Sequence, residues 1–386
     1  MPRWFTRDVL LPFLITRVAL TVVAWLGFRF LSLPSAYPLS WELGADGVIH
    51  HTSAGVPAAH PFINMWSRWD SGWYLTIARS GYNFAPGKPS SAAFFPLYPA
   101  AVRALHDVLF LPKSEFWYLL AGIAVSNFSL IVALAYLYLL IRLDYSSEVA
   151  SHAVLCLLVF PASFFFSSVY SESTFLALSV ASFYYARQTR WLTACLLAAF
   201  ASLCRSQGVI LLLPLLVEYF LQRNFKWRLV RWNIVALFLV PAALFIFAAY
   251  MKWSFGSWSI LFAAQQPWGR RLLAPWYTLP WVIRHTSTAS DWLDISFFAF
   301  LVVGSVAAIP RIRRSYVAYL WTAVIFFSSW GMLGSVPRFA AVVFPLFISL
   351  GLLIGESRPF RIAYLTISSI LGALLFVIHS QWQWVA

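Results

Sequence analysis

Residues 68–74 read Arg68-Trp69-Asp70-Ser71-Gly72-Trp73-Tyr74, and Phe94-Phe95-Pro96-Leu97-Tyr98-Pro99 follows soon after. An acidic residue thus stands in a non-hydrophobic loop of a chain otherwise built from apolar runs long enough to cross a hydrocarbon core about 30 Å thick. The chain has 386 residues, 61% of them hydrophobic and only 10% charged, with a mean hydropathy of +0.76. Such a composition gives an all-α polytopic membrane protein, because helices satisfy their own backbone polar groups in lipid. An acid in its loop is a candidate for chemistry at the membrane surface.

Aromatic residues make up 19% of the chain, with 20 Trp and 35 Phe, more than interfacial belts require. The excess suits a groove for an isoprenoid or acyl tail. The net charge of +14 sits mostly in short loops between apolar segments, where positive-inside bias explains it and nucleic-acid binding does not. Cys156, Cys195 and Cys204 lie in or beside apolar segments without metal-like spacing and read as small buried hydrophobes. The first apolar run, Val9 to Leu31, is too long for a secretory signal and carries Arg17, so it reads as a retained first span.

Eleven spans are expected, near 9–31, 116–141, 149–169, 172–187, 191–204, 207–222, 233–252, 292–310, 315–332, 338–355 and 360–380. With the N-terminus in the cytoplasm, Arg187/Arg190, Arg223/Lys226/Arg228/Arg231, Arg311/Arg313/Arg314 and Arg358/Arg361 all fall inside. The loop from Ser32 to Phe94, the Tyr170–Glu172 turn, the Arg205–Gly208 break, the Gln265–Arg271 segment and the Val336–Arg338 turn then share the outer face. Every motif of unusual polarity lands there, which points to one outward-facing site in a single domain over 1–386. The loop and interfacial helices of 32–112 carry its central motif.

Asp70 opens a helical pattern that Gly81 ends, so it doubles as an N-cap and a chemical group. A carboxylate at a helix N-terminus, favoured by the dipole, accepts a hydroxyl proton late in a transition state. Residues 100–110, with Arg103, His106 and Asp107, read as a surface-lying helix that frames the loop. Glu172 opens another helix, as a dipole-favoured acid or as a polar contact to a sugar. Arg205, in Cys204-Arg205-Ser206-Gln207-Gly208, breaks an otherwise continuous apolar stretch, and an ionisable group at membrane depth is a functional candidate. Arg270 and Arg338 sit on the outer face against the charge bias, and guanidinium forks match phosphate; headgroup anchoring is the plainer role for each. His50, His51 and His60, with Asp46 nearby, lack the spacing of a metal site, and neither common glycine-rich nucleotide cradle occurs.

Taken together, Arg68–Leu75, the Ala78–Tyr82 helix end, Phe94–Pro99, Tyr170-Ser171-Glu172-Ser173, Arg205-Ser206-Gln207-Gly208, Trp268-Gly269-Arg270 and Pro337-Arg338-Phe339 resemble the PIG-V family, the second mannosyltransferase of glycosylphosphatidylinositol assembly, and its prokaryotic relatives. The likeness runs through nearly the whole chain in order. It implies a GT-C membrane glycosyltransferase that takes mannose from a polyprenyl or dolichyl phosphate carrier on the non-cytoplasmic side, with Asp70 as catalytic base. Donor and substrate binding is assigned to Arg68, Trp69, Trp73, Tyr74, Tyr98, Glu172, Arg205, Gln207, Trp268, Arg270 and Arg338. The expected chemistry is inverting transfer to a lipid or glycan acceptor, the phosphate held by arginines among Arg205, Arg270 and Arg338. No cofactor and no metal is expected, since phosphate already leaves well. Short later loops look more like a prokaryotic member, expected in the plasma membrane with the site outside; a eukaryotic member is expected in the endoplasmic reticulum membrane with a luminal site, and the acceptor does not carry over. A lipid-linked-sugar flippase and a non-catalytic scaffold are the rival readings, and the missing repeat of two halves counts against the first.

Overall fold

A computed structural model describes residues 2–31, 41–43, 49–51 and 61–385. The helices that matter here are α1 (Leu11–Phe30), α2 (Ser71–Ser80), α3 (Leu97–Val108), α4 (Glu115–Ile141), α5 (Ser147–Leu158), α6 (Glu172–Arg187), α7 (Trp191–Cys204), α8 (Leu212–Leu221), α9 (Leu239–Phe255), α10 (Ala289–Ala308), α11 (Arg314–Phe327), α12 (Val336–Ala341), α13 (Pro345–Glu356) and α14 (Arg358–Ser380). One short hairpin, Trp41–Leu43 with Ile49–His51, pairs Trp41 with His51 in antiparallel register.

Among the described residues, five helices are long and apolar enough to span a membrane: Phe5–Phe30, Glu115–Ile141, Trp232–Phe255, Ala289–Ala308 and Arg358–Ser380. Four shorter apolar helices, Ser147–Leu158, Trp191–Cys204, Ser206–Leu221 and Pro345–Glu356, fill the bundle between them. The polytopic, all-helical expectation therefore holds, while the division into eleven spans does not appear as drawn. The clearest departure is at 149–169. Pro161 lacks an N–H and crowds the preceding turn, so α5 stops at Leu158. Phe160, Phe164, Phe165, Phe166 and Tyr170 then run on as fully buried irregular chain with one 3₁₀ turn, Ser163–Phe166.

Irregular backbone survives at membrane depth only where protein supplies its hydrogen bonds. Arg17 on α1 does this, donating to Leu158 O at 3.0 Å and Ser163 O at 2.7 Å. The arginine that broke the hydropathy of the first span is thus the cap of another helix's C-terminus, where a cation is also favoured by the dipole. Val169 N adds a bond to Trp66 O at 2.9 Å, which ties the irregular segment to the loop ahead of Asp70.

Packing is sequential and then closes on itself: α4 against α6, α6 against α7, α7 against α9, α8 against α11, α5 against α13 and α1 against α14. Helix α3 lies against α4 with Tyr98, Val102 and His106 buried and Arg103 and Asp107 exposed, as its amphipathic sequence requires. At the C-terminal end of α6, Arg187 pairs with Asp144, and the fully buried Glu218 of α8 takes Arg313 Nε at 2.7 Å and Ser315 Oγ at 2.7 Å. That network fastens one end of the bundle. At 1.5 Å per residue, the 16-residue α6 carries its other end, with Glu172, about 24 Å away.

Candidate active site

Asp70 stands one residue ahead of α2, yet its side chain makes no cap bond to the helix. The carboxylate turns instead to Arg338 Nη1, 2.6 Å from Oδ2 and 268 residues along the chain. So the capping role expected from its position is not taken up. Its own backbone N–H donates to Tyr170 Oη at 3.3 Å, and that hydroxyl donates to Arg68 O at 2.9 Å. Just before it, Trp69 adopts φ +53°, a left-handed conformation that costs a non-glycine residue on the order of 1–3 kcal/mol. Arg68 anchors this turn, donating to Ser380 O at 2.8 Å and Asn64 Oδ1 at 3.0 Å with its guanidinium 4.9 Å from the Trp382 ring.

Below Asp70 lies a chain of charges. Arg338, on the six-residue α12, also reaches Glu172 Oε1 through Nε at 3.2 Å. Arg205, at the extended break after α7, reaches the same oxygen at 2.6 Å. Arg205 further donates to Gln207 Oε1 at 2.8 Å and Ser171 Oγ at 3.1 Å, and Tyr74 Oη shares Ser171 Oγ at 2.9 Å. Glu172 is wholly inaccessible, so it acts as the shared counter-ion of two arginines. Burial disfavours the Arg338 cation, but Asp70 and then Glu172 outweigh it and hold its pKa above the ordinary value.

Asp70, Tyr74, Arg205, Gln207 and Arg338 border a cavity of about 610 Å³. Among the described residues, Lys88, Arg205, Arg270 and Arg338 stand on its wall against one wall carboxylate, Asp70, with Glu172 behind. Positive charge is therefore in excess. Arg270 follows Gly269, whose φ of +74° is open to glycine, and bonds Gln265 Oε1 at 3.2 Å. Enclosure by protein and the neighbouring Arg338 lower its pKa to about 10, so it stays a cation at neutral pH. Neither Arg270 nor Lys88 has a carboxylate within ion-pair distance among the described residues. The same cavity has an aromatic wall in which Trp73, Phe94 and Trp268 meet pairwise at ring-centroid distances of 5.8, 6.0 and 5.9 Å.

Of the residues singled out in the sequence, Trp69, Asp70, Trp73, Tyr74, Arg205, Gln207, Trp268, Arg270 and Arg338 border this one cavity. Arg68, Tyr98 and Glu172 do not. Tyr98 is fully buried on α3, donating to Gly122 O at 3.1 Å and sharing a bond with Ser126 Oγ at 2.8 Å, so it joins α3 to α4. Lys88 and Trp384 were missed, and Gln265 and Phe339 were quoted without a role. Gln265 and Phe339 lie inside quoted segments, whereas Lys88 and Trp384 sit in stretches that carry no local signal. Of the loop histidines and Asp46, His50 and His51 lie in the hairpin, while His60 and Asp46 fall outside the described residues.

A family model described as mannosyltransferase (PIG-V) matches residues 55–268. No curated protein matches the chain. Among solved structures, ArnT from Cupriavidus metallidurans, bound to undecaprenyl phosphate, is similar with a TM-score of 0.50 at 16% identity, over 92% of this chain and 62% of that one. An oligosaccharyltransferase from Archaeoglobus fulgidus, tethered to an acceptor peptide, is similar with a TM-score of 0.47 at 12% identity, over 99% of this chain and 56% of that one. This chain thus spans about three fifths of the length of the structures it matches. At such identity the likeness to ArnT speaks for the fold alone, a GT-C-like arrangement of membrane helices.

Proposed function

The chain belongs to the mannosyltransferase (PIG-V) family, and from that premise we propose that it transfers mannose, with inversion, from a polyprenyl or dolichyl phosphate carrier to a hydroxyl of a lipid or glycan acceptor. Asp70 accepts the proton of the acceptor hydroxyl as that oxygen forms its bond to the anomeric carbon. The bond from that carbon to the phosphate oxygen breaks, and its electron pair leaves with the carrier phosphate. Arg270 and Lys88 hold the developing charge.

The observation that carries this reading is the Asp70 carboxylate on the wall of a cavity that also holds cations without carboxylate partners. Arg338 and Arg205 are already engaged with Asp70 and Glu172, which favours Arg270 and Lys88 for the phosphate. The wall of Trp73, Phe94 and Trp268 offers flat apolar faces to a pyranose or to the first isoprene units. An outward-facing site is supported by the charge bias, since Arg187 and Arg313 lie at the far end of α6 from Glu172.

The test is transfer of radiolabelled mannose from polyprenyl phosphate mannose to a panel of lipid and glycan acceptors in nanodiscs. Wild type transfers and Asp70→Asn transfers nothing detectable while keeping its melting temperature. Equal transfer by both removes Asp70 from the mechanism.

A further inference from the structure

Arg338 can hold Asp70 only if its short helix is aimed correctly, and α12 has little of its own to aim it. It is six residues long, begins after Ser335 at φ +63°, and has Pro337 in its first turn, which supplies no N–H. Its leading backbone group is taken from outside. Asp294, on α10 and 4% exposed, accepts from Val336 N at 2.7 Å. Helices α10 and α12 pack together along this contact. Asp294 does not border the cavity.

We infer that Asp294 is a positioning residue for the transfer proposed above: it fixes the N-terminus of α12 and so the direction in which Arg338 presents its guanidinium to Asp70. Only Pro337 separates the bonded N–H of Val336 from Arg338, too little chain for a rotation of the turn to be absorbed before it reaches the side chain. The inference rests on the proposed function for its kinetic consequence but not for its structural one. A misplacement of about 1 Å in a catalytic constellation costs on the order of 100-fold in rate.

Two measurements are made on purified Asp294→Leu, Asp294→Asn and, as a control on the exposed side of the same helix, Ser296→Ala. The first is the rate at which phenylglyoxal modifies Arg338, read by peptide mass spectrometry, which needs no substrate. In wild type the guanidinium is buried between Asp70 and Glu172 and reacts slowly; Asp294→Leu raises the rate at least tenfold, Asp294→Asn, which keeps an acceptor, raises it less, and Ser296→Ala leaves it alone. The second is mannose transfer, in which Asp294→Leu lowers kcat about 100-fold with donor KM little changed, and adds no further loss on an Arg338→Ala background. If Arg338 stays as protected in both Asp294 variants as in wild type, or if Asp294→Leu costs the same factor with and without Arg338, the inference is wrong. Absence of transfer by wild type overturns the proposed function instead, and the modification rates still decide the role of Asp294. Should Asp294→Leu fail to fold, Asp294→Asn decides it by the same two readings.

Discussion

Replacing Arg270 by Ala separates donor binding from the stability of the site. Among the described residues its side chain bonds the neutral Gln265, at 3.2 Å, and lies 5.5 Å from the Phe339 ring; removing a cation enclosed without a counter-ion offsets the loss of these contacts, so the folded protein loses about 0–1 kcal/mol. A charge-assisted hydrogen bond to phosphate is worth about 1.5–3 kcal/mol. At about 1.4 kcal/mol per decade, kcat/KM for the carrier falls roughly 10- to 150-fold. Arg338→Ala is the contrast, because it strips the partner at 2.6 Å from Asp70 and at 3.2 Å from the inaccessible Glu172. Removing one member of a buried pair costs about 3–5 kcal/mol, which lowers the melting temperature in detergent as well as the rate. The assay is radiolabelled mannose transfer over a range of carrier concentrations, with a melting curve for each variant. An Arg270→Ala protein with wild-type kcat/KM for the carrier, or with a melting temperature depressed as far as that of Arg338→Ala, refutes the division of labour among these arginines.

Other perturbations follow from the same geometry. A Cβ at Gly208 runs into the backbone of Ser202 and Ala201, which cannot swing aside, so Gly208→Ala displaces the Arg205–Gln207 break and lowers kcat/KM for the carrier at least about tenfold; wild-type kinetics in this variant contradicts the placement. Arg17→Met leaves Leu158 O and Ser163 O buried without their donor, at about 1–3 kcal/mol each, and reduces the melting temperature. An unchanged melting curve shows that water or another donor replaces the guanidinium.

The sequence by itself determined the solvent and the elements. Runs of apolar residues pointed to a helical membrane protein, and the few polar groups in an apolar chain marked Asp70, Arg205, Arg270 and Arg338 as exceptions, whereas the end of α5 ahead of Pro161 emerged only in the structure. Those signals are local, because hydropathy and helix-breaking act over one turn to one span. The tertiary structure alone decided what each exception does. Asp70 reads as a helix cap in its own segment and becomes an ion-pair partner only when α12, 268 residues on, is packed beside it. Glu172 reads as a dipole-favoured acid at a helix start and is sealed by two arginines from other elements. Arg17, 141 residues before Leu158, reads as a flaw in a span and closes the end of another helix. Each outcome turns on which buried charge finds which partner. In a low-dielectric interior that choice is large in energy but set by helix packing, so no stretch of the chain encodes it alone.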